Sequence, residues 1–590
     1  MSHYVDRSNR TFRVFLYFLF LFFIGLGCIA ILPAFEGLDE VGHFSSVRQI
    51  ADTGTIPLRG TGFIDEAIWH YQGPGPDIPD YHFPSYKTFF SQPNAVENYI
   101  SSYREASLPA FRPSQVPNYE TQHPPLFYML LAPAAKLTEH LPFLTQLFSL
   151  RLASFLIALV GVGLGLMAIR TGDEPATMGF MLYPLVFPMF FAEFARIGND
   201  SLCILLVGLT AYLLSKWLRD EDSARLSVSI GVVLGLGLLT KAFFLPIIAA
   251  LSTFLVARTW PAKNTPDWVD REAFLRNDPP PQDRDRRHRH TRVRDRCDTP
   301  AGPRPAKWLG LPRALAHWKS LVMLFLPALL IGGGWYAYQF VAFGSPTGSV
   351  EAIYLDTKGG MIAGLRQNFS VYALFRGSVA FFKSYVWASS QSLAKLPAVL
   401  FIPTMVLLCL SFGAFLLRLR HLPFKDVAWL PVLMLAFFGA GFFYHMLLVI
   451  AAVGKASTPG WYLHILMPWL APAFGVGLNS LFQIRQLKPL VVGLLIYALL
   501  FDAVAVWAQL AFFAGCAIKT EDSFYAFTGS YFCLDQFALV VGRVNLLGWP
   551  LLAIIGFGGG FLCGSSLLWI SRVKVGAVGG NPIVRSAIAS

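Results

Sequence analysis

The residues best suited to chemistry at a membrane surface come directly after the first apolar run of the chain. That run covers residues 12–35, and Asp39, Glu40 and His43 follow it closely. About 20 apolar residues cross a bilayer, so these three side chains are predicted to lie where the chain leaves the hydrocarbon. Placing a charged carboxylate there costs free energy, so such a residue usually has a function. Asp39 is therefore a candidate general base that deprotonates a hydroxyl group, with Glu40 as a second catalytic carboxylate.

Other roles remain open for the same three residues. Asp39 is also suited to capping a helix that begins near Val41, because an acidic side chain accepts bonds from free backbone N–H groups. Glu40 and His43 are the candidate ligands for a divalent metal, although the sequence requires no cofactor. His43 shares a helical face with Asp39, and it is equally compatible with phosphate binding or with an ordinary interfacial position.

Three basic side chains further along are candidates for binding an anionic group such as phosphate. His123 lies at a predicted helix start, where backbone donors favour anions. Arg196 lies in a short connection between apolar runs, where it either pairs with Asp200 or presents its planar fork to phosphate. Lys241 is an ionisable residue between two apolar runs, which indicates either a functional role or a snorkelling side chain.

A further set of polar and aromatic residues could line a sugar-sized cleft, because sugars bind to aromatic faces and hydrogen-bonding groups. An aromatic belt at the membrane interface is the alternative for each of them. The set is His43, Asn199, Asp200, Lys383, Tyr385, Trp461, Tyr462 and His464.

The composition predicts an all-α polytopic membrane protein. Of the 590 residues, 55% are hydrophobic and 14% are charged, against about 25% charged residues in soluble domains. The formal net charge of +12 lies largely in residues 284–296 and in short loops, a pattern typical of the positive-inside rule. We therefore expect a lipid bilayer as partner and no nucleic acid.

About twelve apolar runs are predicted to cross the membrane. Basic residues in alternate loops place both termini in the cytoplasm, which leaves three outer segments, 35–145, 344–396 and 515–540. The apolar stretch 124–137 is short and is expected to enter the outer leaflet without crossing. The predicted spans are 12–34, 146–169, 177–195, 199–217, 226–241, 243–259, 320–343, 397–417, 428–452, 463–483, 489–514 and 541–570.

The Arg-rich stretch 260–319 divides the chain into two predicted membrane modules. Its density of charge and prolines predicts a disordered cytoplasmic linker. The modules are 1–259, which includes the large first outer loop, and 320–590. Cys516 and Cys533 bracket the third outer segment and could form a disulfide if that segment faces an oxidising compartment.

The motifs resemble those of GT-C integral-membrane glycosyltransferases, in the same order and at the same places relative to the spans. Bacterial polyprenyl-phosphate-sugar-dependent enzymes related to protein O-mannosyltransferases and the lipid A aminoarabinose transferase are the most similar group. The similarity is best over residues 1–250, and Pro459-Gly460-Trp461 stands where many relatives carry Gly-Arg-Tyr. The matching stretches are Asp39-Glu40-Val41-Gly42-His43, Gln122-His123-Pro124-Pro125-Leu126-Phe127-Tyr128, Arg151-Leu152-Ala153-Ser154, Ile197-Gly198-Asn199-Asp200 and Leu239-Thr240-Lys241.

The resemblance implies an inverting transferase of the bacterial cytoplasmic membrane, with its site on the periplasmic side. A polyprenyl-phosphate-linked sugar would be the donor, and a glycan, glycolipid or protein hydroxyl the acceptor. Asp39 would be the base, and His123, Arg196 and Lys241 would bind the donor phosphate. A lipid-linked-sugar transporter or flippase, and a non-catalytic envelope assembly protein, are the alternative functions.

Overall fold

The computed structural model describes residues 2–76, 81–169, 173–219, 223–259, 311–424, 426–456, 458–519, 525–527 and 530–579. Helices dominate these ranges, and two short antiparallel strand pairs accompany them. Strand β1 (Phe63–Asp65) pairs with β2 (Pro113–Pro117), and β3 (Ala517–Lys519) pairs with β4 (Tyr525–Phe527). The prediction of an all-α polytopic membrane protein is confirmed.

The first half of the chain contains the short helices of the first outer segment and the longer apolar helices around them. They are α1 (Ser2–Ile31), α2 (Glu40–Thr53), α3 (Glu66–Trp69), α4 (Tyr86–Ser91), α5 (Ala95–Tyr99), α6 (Leu126–Leu137), α7 (Phe143–Ala168), α8 (Glu174–Val186), α9 (Met189–Phe194), α10 (Asp200–Trp217), α11 (Ala224–Leu238) and α12 (Phe244–Thr259), with a π turn at Ile100–Arg104 and a 3-10 turn at Tyr119–Gln122.

The helices of the second half include a group of short helices in the second outer segment. They are α13 (Leu311–Phe343), α14 (Val350–Asp356), α15 (Gly360–Asn368), α16 (Val371–Val386), α17 (Ile402–Leu419), α18 (Leu430–Val453), α19 (Met467–Gln483), α20 (Lys488–Phe513), α21 (Phe537–Leu547) and α22 (Pro550–Gly579), with 3-10 turns at Ala398–Phe401, Val427–Trp429, Trp461–Leu466 and Ser530–Gln536.

Nine helices of the described chain are long and apolar enough to cross a membrane, so the predicted number of twelve is wrong. The predicted span 177–195 divides into α8 and α9 at Phe187 and Pro188, because a proline cannot continue the hydrogen-bond ladder of the preceding helix. The predicted spans 226–241 and 243–259 are α11 and α12, of 15 and 16 residues, each short of a roughly 30 Å hydrocarbon core. The orientation depended on this count and stays a prediction.

Helices from the two halves of the chain pack side by side. Helix α1 lies along α22, α8 along α19 and α11 along α13. Within the first half, helix α7 packs closely against α10 at Gly161 and Gly208, where an added Cβ on Gly208 would overlap the Gly161 carbonyl oxygen. Of the predicted linker 260–319, residues 260–310 lie outside the described residues, and helix α13 begins at Leu311, within its predicted C-terminal end. The division into modules stays a prediction.

The first outer segment has its own packed core at the ends of the membrane helices. Helix α2 packs on α6, and Phe35 is surrounded by the rings of Phe44, Tyr71, Phe83 and Phe143 at centroid distances of 5.1 to 6.2 Å. Helix α6 has 12 residues and spans about 18 Å, so it is too short to cross the hydrocarbon core.

Candidate functional site

Asp39 occupies the turn between the first membrane helix and α2. The chain reverses through Phe35 and Asp39, both of which have left-handed backbones with φ of 64° and 55°. Aspartate tolerates this conformation better than most residues. Asp39 is the N-cap residue of α2, yet its side chain makes no capping hydrogen bond, so the capping role does not hold. The carboxylate is half-buried.

Glu40 has a different environment and forms a buried ion pair with Arg151. The Nε and Nη2 atoms of Arg151 lie 2.8 and 2.5 Å from the two carboxylate oxygens. The backbone N–H of Ile197 also donates to Glu40, and Arg151 donates to the carbonyl oxygens of Leu32 and Pro33. With both oxygens engaged, Glu40 fixes the end of α1 to α7. This geometry favours a structural role over the expected catalytic one.

Arg196, Asp200 and Lys241 form a buried charge cluster beside Asp39. The Nζ atom of Lys241 lies 2.9 Å from both carboxylate oxygens of Asp200. Arg196 Nη2 lies 3.3 Å from Asp200 and 2.9 Å from Glu193. The Nη1 atom of Arg196 donates to the carbonyl oxygen of Leu38 at 2.6 Å, which ties the cluster to the residue before Asp39. Arg196 thus makes the predicted pair with Asp200 and also contacts the candidate catalytic loop.

Lys241 is buried and does not snorkel. Its ammonium lies 4.2 Å from the ring centroid of Tyr462 and 4.7 Å from that of Phe243, within the range of cation–π attraction. Trp461 packs with Leu38 and Met189. Trp461 and Tyr462 therefore lie against the turn and the cluster, although they are more than 200 residues later in the chain, and their role in a cleft stays a prediction.

The electrostatics around Asp39 suit a base. Burial raises the pKa of the Asp39 carboxyl, and Asp200 raises it further, while the cations Arg196 and Lys241 oppose the shift. A carboxylate with a raised pKa accepts a proton more readily near neutral pH.

A second acidic centre lies where α2 meets α6 and the turn before it. His43 Nδ1 is 3.0 Å from the Tyr128 hydroxyl and 3.3 Å from a Glu120 oxygen, and His123 Nε2 is 3.5 Å from the same oxygen. Burial, and then the negative charge of Asp39, raise the pKa of Glu120 well above its usual range. Burial and Lys241 lower the pKa of His123 to about 3. His123 is then a neutral hydrogen-bond donor, not the expected cation.

The two candidate metal ligands have different partners in the structure. Glu40 contacts Arg151, whereas His43 contacts Tyr128 and Glu120. Throughout the described ranges, no group of three or more His, Cys, Asp or Glu side chains could hold a metal ion.

Asn199 is the N-cap residue of α10 and is buried. Neither Oδ1 nor Nδ2 of its amide has a hydrogen-bond partner within the described chain, and the same is true of Nε1 in Trp461. Buried polar atoms are rarely left unpaired, and the exceptions are often found at functional sites. Asn199 and Trp461 are therefore candidate binding residues of this site.

Three predicted cleft residues lie elsewhere. Tyr385 and His464 are buried and stacked, with ring centroids 4.8 Å apart, and both contact the hydroxyl of Tyr183. Lys383 lies over the ring of Phe401 at 4.9 Å. Tyr385 and His464 therefore join α8, α16 and the 3-10 turn before α19, and their hydrogen-bonding groups are used within the core.

Sequence reasoning missed four site residues. Glu36 belongs to the same acidic stretch as Asp39, and Arg151 opens the Arg-Leu-x-Ser motif, so both carried a signal. Glu120 directly precedes the polar stretch before His123, and Glu193 lies three residues before Arg196. In each case the charge was visible, but the partner that gives it a role is distant in sequence.

Beyond this site, the described chain has a cavity of about 690 Å³ at the opposite end of the helices. Leu214 and Leu218, at the end of α10, line it, whereas Asp200 at the start of α10 belongs to the charge cluster. An 18-residue helix is about 27 Å long, so the cavity is separate from the candidate site.

Fold and site define a polytopic membrane protein with a buried ionisable centre at the end of its first span. The chain belongs to the family described as "Predicted membrane protein (DUF2142)", whose model matches residues 22–460. It has no significant match among curated proteins. A crystal structure of ArnT from Cupriavidus metallidurans bound to undecaprenyl phosphate is similar, with 13% identity, covering 96% of this chain and 78% of that one, at a TM-score of 0.42. This similarity is too low to indicate an activity.

Proposed function

We propose that this protein is a membrane glycosyltransferase that moves a sugar from a polyprenyl-phosphate donor to an acceptor hydroxyl. The proposed site faces the extracytoplasmic side of a bacterial cytoplasmic membrane. The observation that carries the proposal is the half-buried carboxylate of Asp39, which makes no capping hydrogen bond to α2 and lies beside Arg196 and Lys241 at the end of the first span. The motif resemblance described above supports the same assignment.

Asp39 is the proposed general base. Its side chain makes no capping bond at the start of α2, and burial raises its pKa. A hydroxyl of the acceptor would lose its proton to Asp39 while its oxygen attacks the anomeric carbon of the sugar. Attack from the face opposite the phosphate inverts that carbon, and the transition state has oxocarbenium character.

The leaving group is polyprenyl phosphate, which keeps the electron pair of the broken bond between the anomeric carbon and the phosphate oxygen. Negative charge on that oxygen is stabilised by fixed cations and donors. Lys241 and Arg196 are the proposed cations, and neutral His123 is the proposed N–H donor. Asp200 holds both cations in place, so they need little reorganisation during the reaction. The proposed mechanism needs no metal.

The site's position explains how a lipid-linked donor and a polar acceptor could meet. Asp39 and the charge cluster lie where α1 ends and α10 begins. Asn199 and Trp461 offer unpaired polar atoms that suit sugar hydroxyl groups. The acceptor would approach through the first outer segment, and the polyprenyl chain would remain in the hydrocarbon.

The proposal is tested by a release assay with the purified full-length protein in nanodiscs. A panel of polyprenyl-phosphate sugars is added with mixed glycan, glycolipid and peptide acceptors, and free polyprenyl phosphate is measured by mass spectrometry. We expect release by the wild type from at least one donor and loss of release in Asp39→Asn. Asp356→Asn is the matched control, because Asp356 is exposed in the second outer segment.

Two outcomes would contradict the proposal. Equal release by wild type and Asp39→Asn would remove Asp39 as the base. Movement of labelled donor lipid between leaflets, without release of polyprenyl phosphate from any donor, would identify a transporter.

A further inference from the structure

The turn that carries Asp39 is held from the side by a loop of the second outer segment, residues 389–392. The backbone N–H of Asp39 donates to Gln391 Oε1 at 2.8 Å. In the other direction, the backbone N–H of Gln391 donates to the carbonyl oxygen of Glu36 at 2.9 Å. Gln391 is therefore hydrogen-bonded at both ends of the turn 36–39.

Glu36 anchors the same contact through its buried carboxylate. The hydroxyls of Ser390 and Ser392 donate to it at 2.5 and 2.7 Å, and the Tyr86 hydroxyl donates at 2.9 Å. The backbone N–H of Ser392 adds a fourth, longer bond. A buried carboxylate with this many donors is a fixed point, because removing any partner leaves a polar atom unpaired in the core.

Both segments have strained backbones where they meet. Phe35 and Asp39 in one, and Ser389 and Leu393 in the other, have positive φ values between 50° and 69°. Non-glycine residues rarely adopt this conformation, and they persist in it only when their surroundings hold them there. The hydrogen bonds between the two segments supply that restraint.

We propose that Gln391 and Glu36 are positioning residues of the active site, which hold the Asp39 carboxylate at the acceptor hydroxyl. The active site is then composite, with the base supplied by the first outer segment and its orientation by the second. This inference rests on the proposed function, since it names a base and an acceptor. Without the contact, Asp39 would leave the left-handed conformation and its carboxylate would point elsewhere.

Several neighbouring groups affect the pKa of the Asp39 carboxyl. Arg196 and Lys241 lower its pKa, Asp200 raises it, and Gln391 lowers it. Asp39 is also coupled to Glu120, Tyr119 and Tyr462. Loss of the Gln391 amide therefore raises the pKa of the base, and a carboxylate at position 391 raises it further, provided that the other groups are unchanged.

The first test uses hydrogen exchange and needs no turnover. In full-length protein in nanodiscs, we expect backbone amides of residues 36–42 to exchange about tenfold faster in Gln391→Leu, which loses the acceptor for the Asp39 N–H. Gln391→Glu retains an acceptor oxygen and is expected to exchange at the wild-type rate. Gln367→Leu, at an exposed position of the same outer segment, is the control. Unchanged exchange in Gln391→Leu would overturn the inference.

The second test is the release assay, measured against pH. We expect Gln391→Leu to lose about 10²-fold in kcat, as for a misplaced catalytic group. The acidic limb of its pH–rate profile should shift to higher pH. Gln391→Glu is expected to recover kcat at high pH with a larger upward shift, a rescue that a purely structural residue would not show. A wild-type acidic limb in both variants would overturn the positioning role. No release by the wild type would refute the proposed function alone, and hydrogen exchange would then decide whether the two segments hold each other.

Discussion

Arg151 binds both carboxylate oxygens of Glu40 across a sequence separation of 111 residues. Its guanidinium also donates to the carbonyl oxygens of Leu32 and Pro33, the two residues that follow the first membrane helix. One arginine thus joins the end of α1, the start of α2 and the middle of α7. Within the described chain, the neighbouring Asp39 has no such ion pair, and this difference between two adjacent carboxylates supports a structural role for Glu40 and the proposed chemical role for Asp39.

We expect Arg151→Met to lower the free energy of unfolding by about 3–5 kcal/mol, because it leaves the Glu40 carboxylate buried and unpaired. Glu40→Gln in the same background should recover part of this loss. Denaturant unfolding in a mild detergent measures both. Lys136→Met, which removes the exposed pair with Glu139, is the control and should leave stability unchanged. Wild-type stability in Arg151→Met would refute the structural role of the pair.

The pH dependence of the proposed reaction should follow Asp39. A base works only when deprotonated, so the rate falls as pH drops through its pKa. Burial places that pKa above its ordinary value of 3.8, and the acidic limb of kcat/KM should therefore lie above pH 3.8. Initial rates of polyprenyl phosphate release across pH 4–9 test this. A rate that stays flat down to pH 4 would argue against Asp39.

Lys241→Met should reduce kcat by about 10²–10³-fold, since it removes a fixed positive charge beside the proposed leaving group, polyprenyl phosphate. Donor binding should weaken less than turnover, because charge on the phosphate oxygen increases in the transition state. Single-turnover kinetics separate the two effects. The matched control is Lys216→Met, at the exposed opposite end of α10. An equal effect of both substitutions would point to general destabilisation.

Glu120 should make folding stability fall as pH rises. Burial raises its pKa in the folded protein above the ordinary value of 4.5, so the folded state binds a proton that the unfolded chain releases. The resulting stability is present below about pH 4.5 and is lost as pH rises towards the folded-state pKa. We expect Glu120→Gln to show a weaker fall than wild type between pH 5 and 8 in thermal unfolding. A steeper fall would reverse the sign of the argument.

Cys516 and Cys533 are joined by a disulfide, with a sequence separation of 17. For a loop of this length, Cys516→Ser should cost about 3 kcal/mol of stability. A reducing agent should lower the wild-type unfolding midpoint and leave that of Cys516→Ser unchanged. Cys409→Ser, at an exposed free cysteine, serves as the control. Insensitivity of the wild type to reduction would show that the bond is not formed.

The sequence could predict the local part of this site but not its long-range part. The end of α1 and the position of Asp39 just after it follow from an apolar run and the carboxylates after it. Hydropathy did not detect the break at Pro188, because an apolar window averages over a single residue. Nothing in the spacing of Glu36, Ser390 and Ser392 connects them, since their contact depends on how α16 and the following loop pack against the first outer segment.

The hydrogen bond from Asp39 to Gln391 also has a consequence for biosynthesis. The two residues are 352 positions apart, and ribosomes add roughly 5–20 residues per second, so the proposed base is synthesised roughly 20–70 s before its proposed positioning residue. Until then, the turn at Asp39 lacks its restraint. Under the proposed function, a nascent chain that already holds its first spans in the bilayer has no correctly oriented base, and it is inactive until its second half has been inserted.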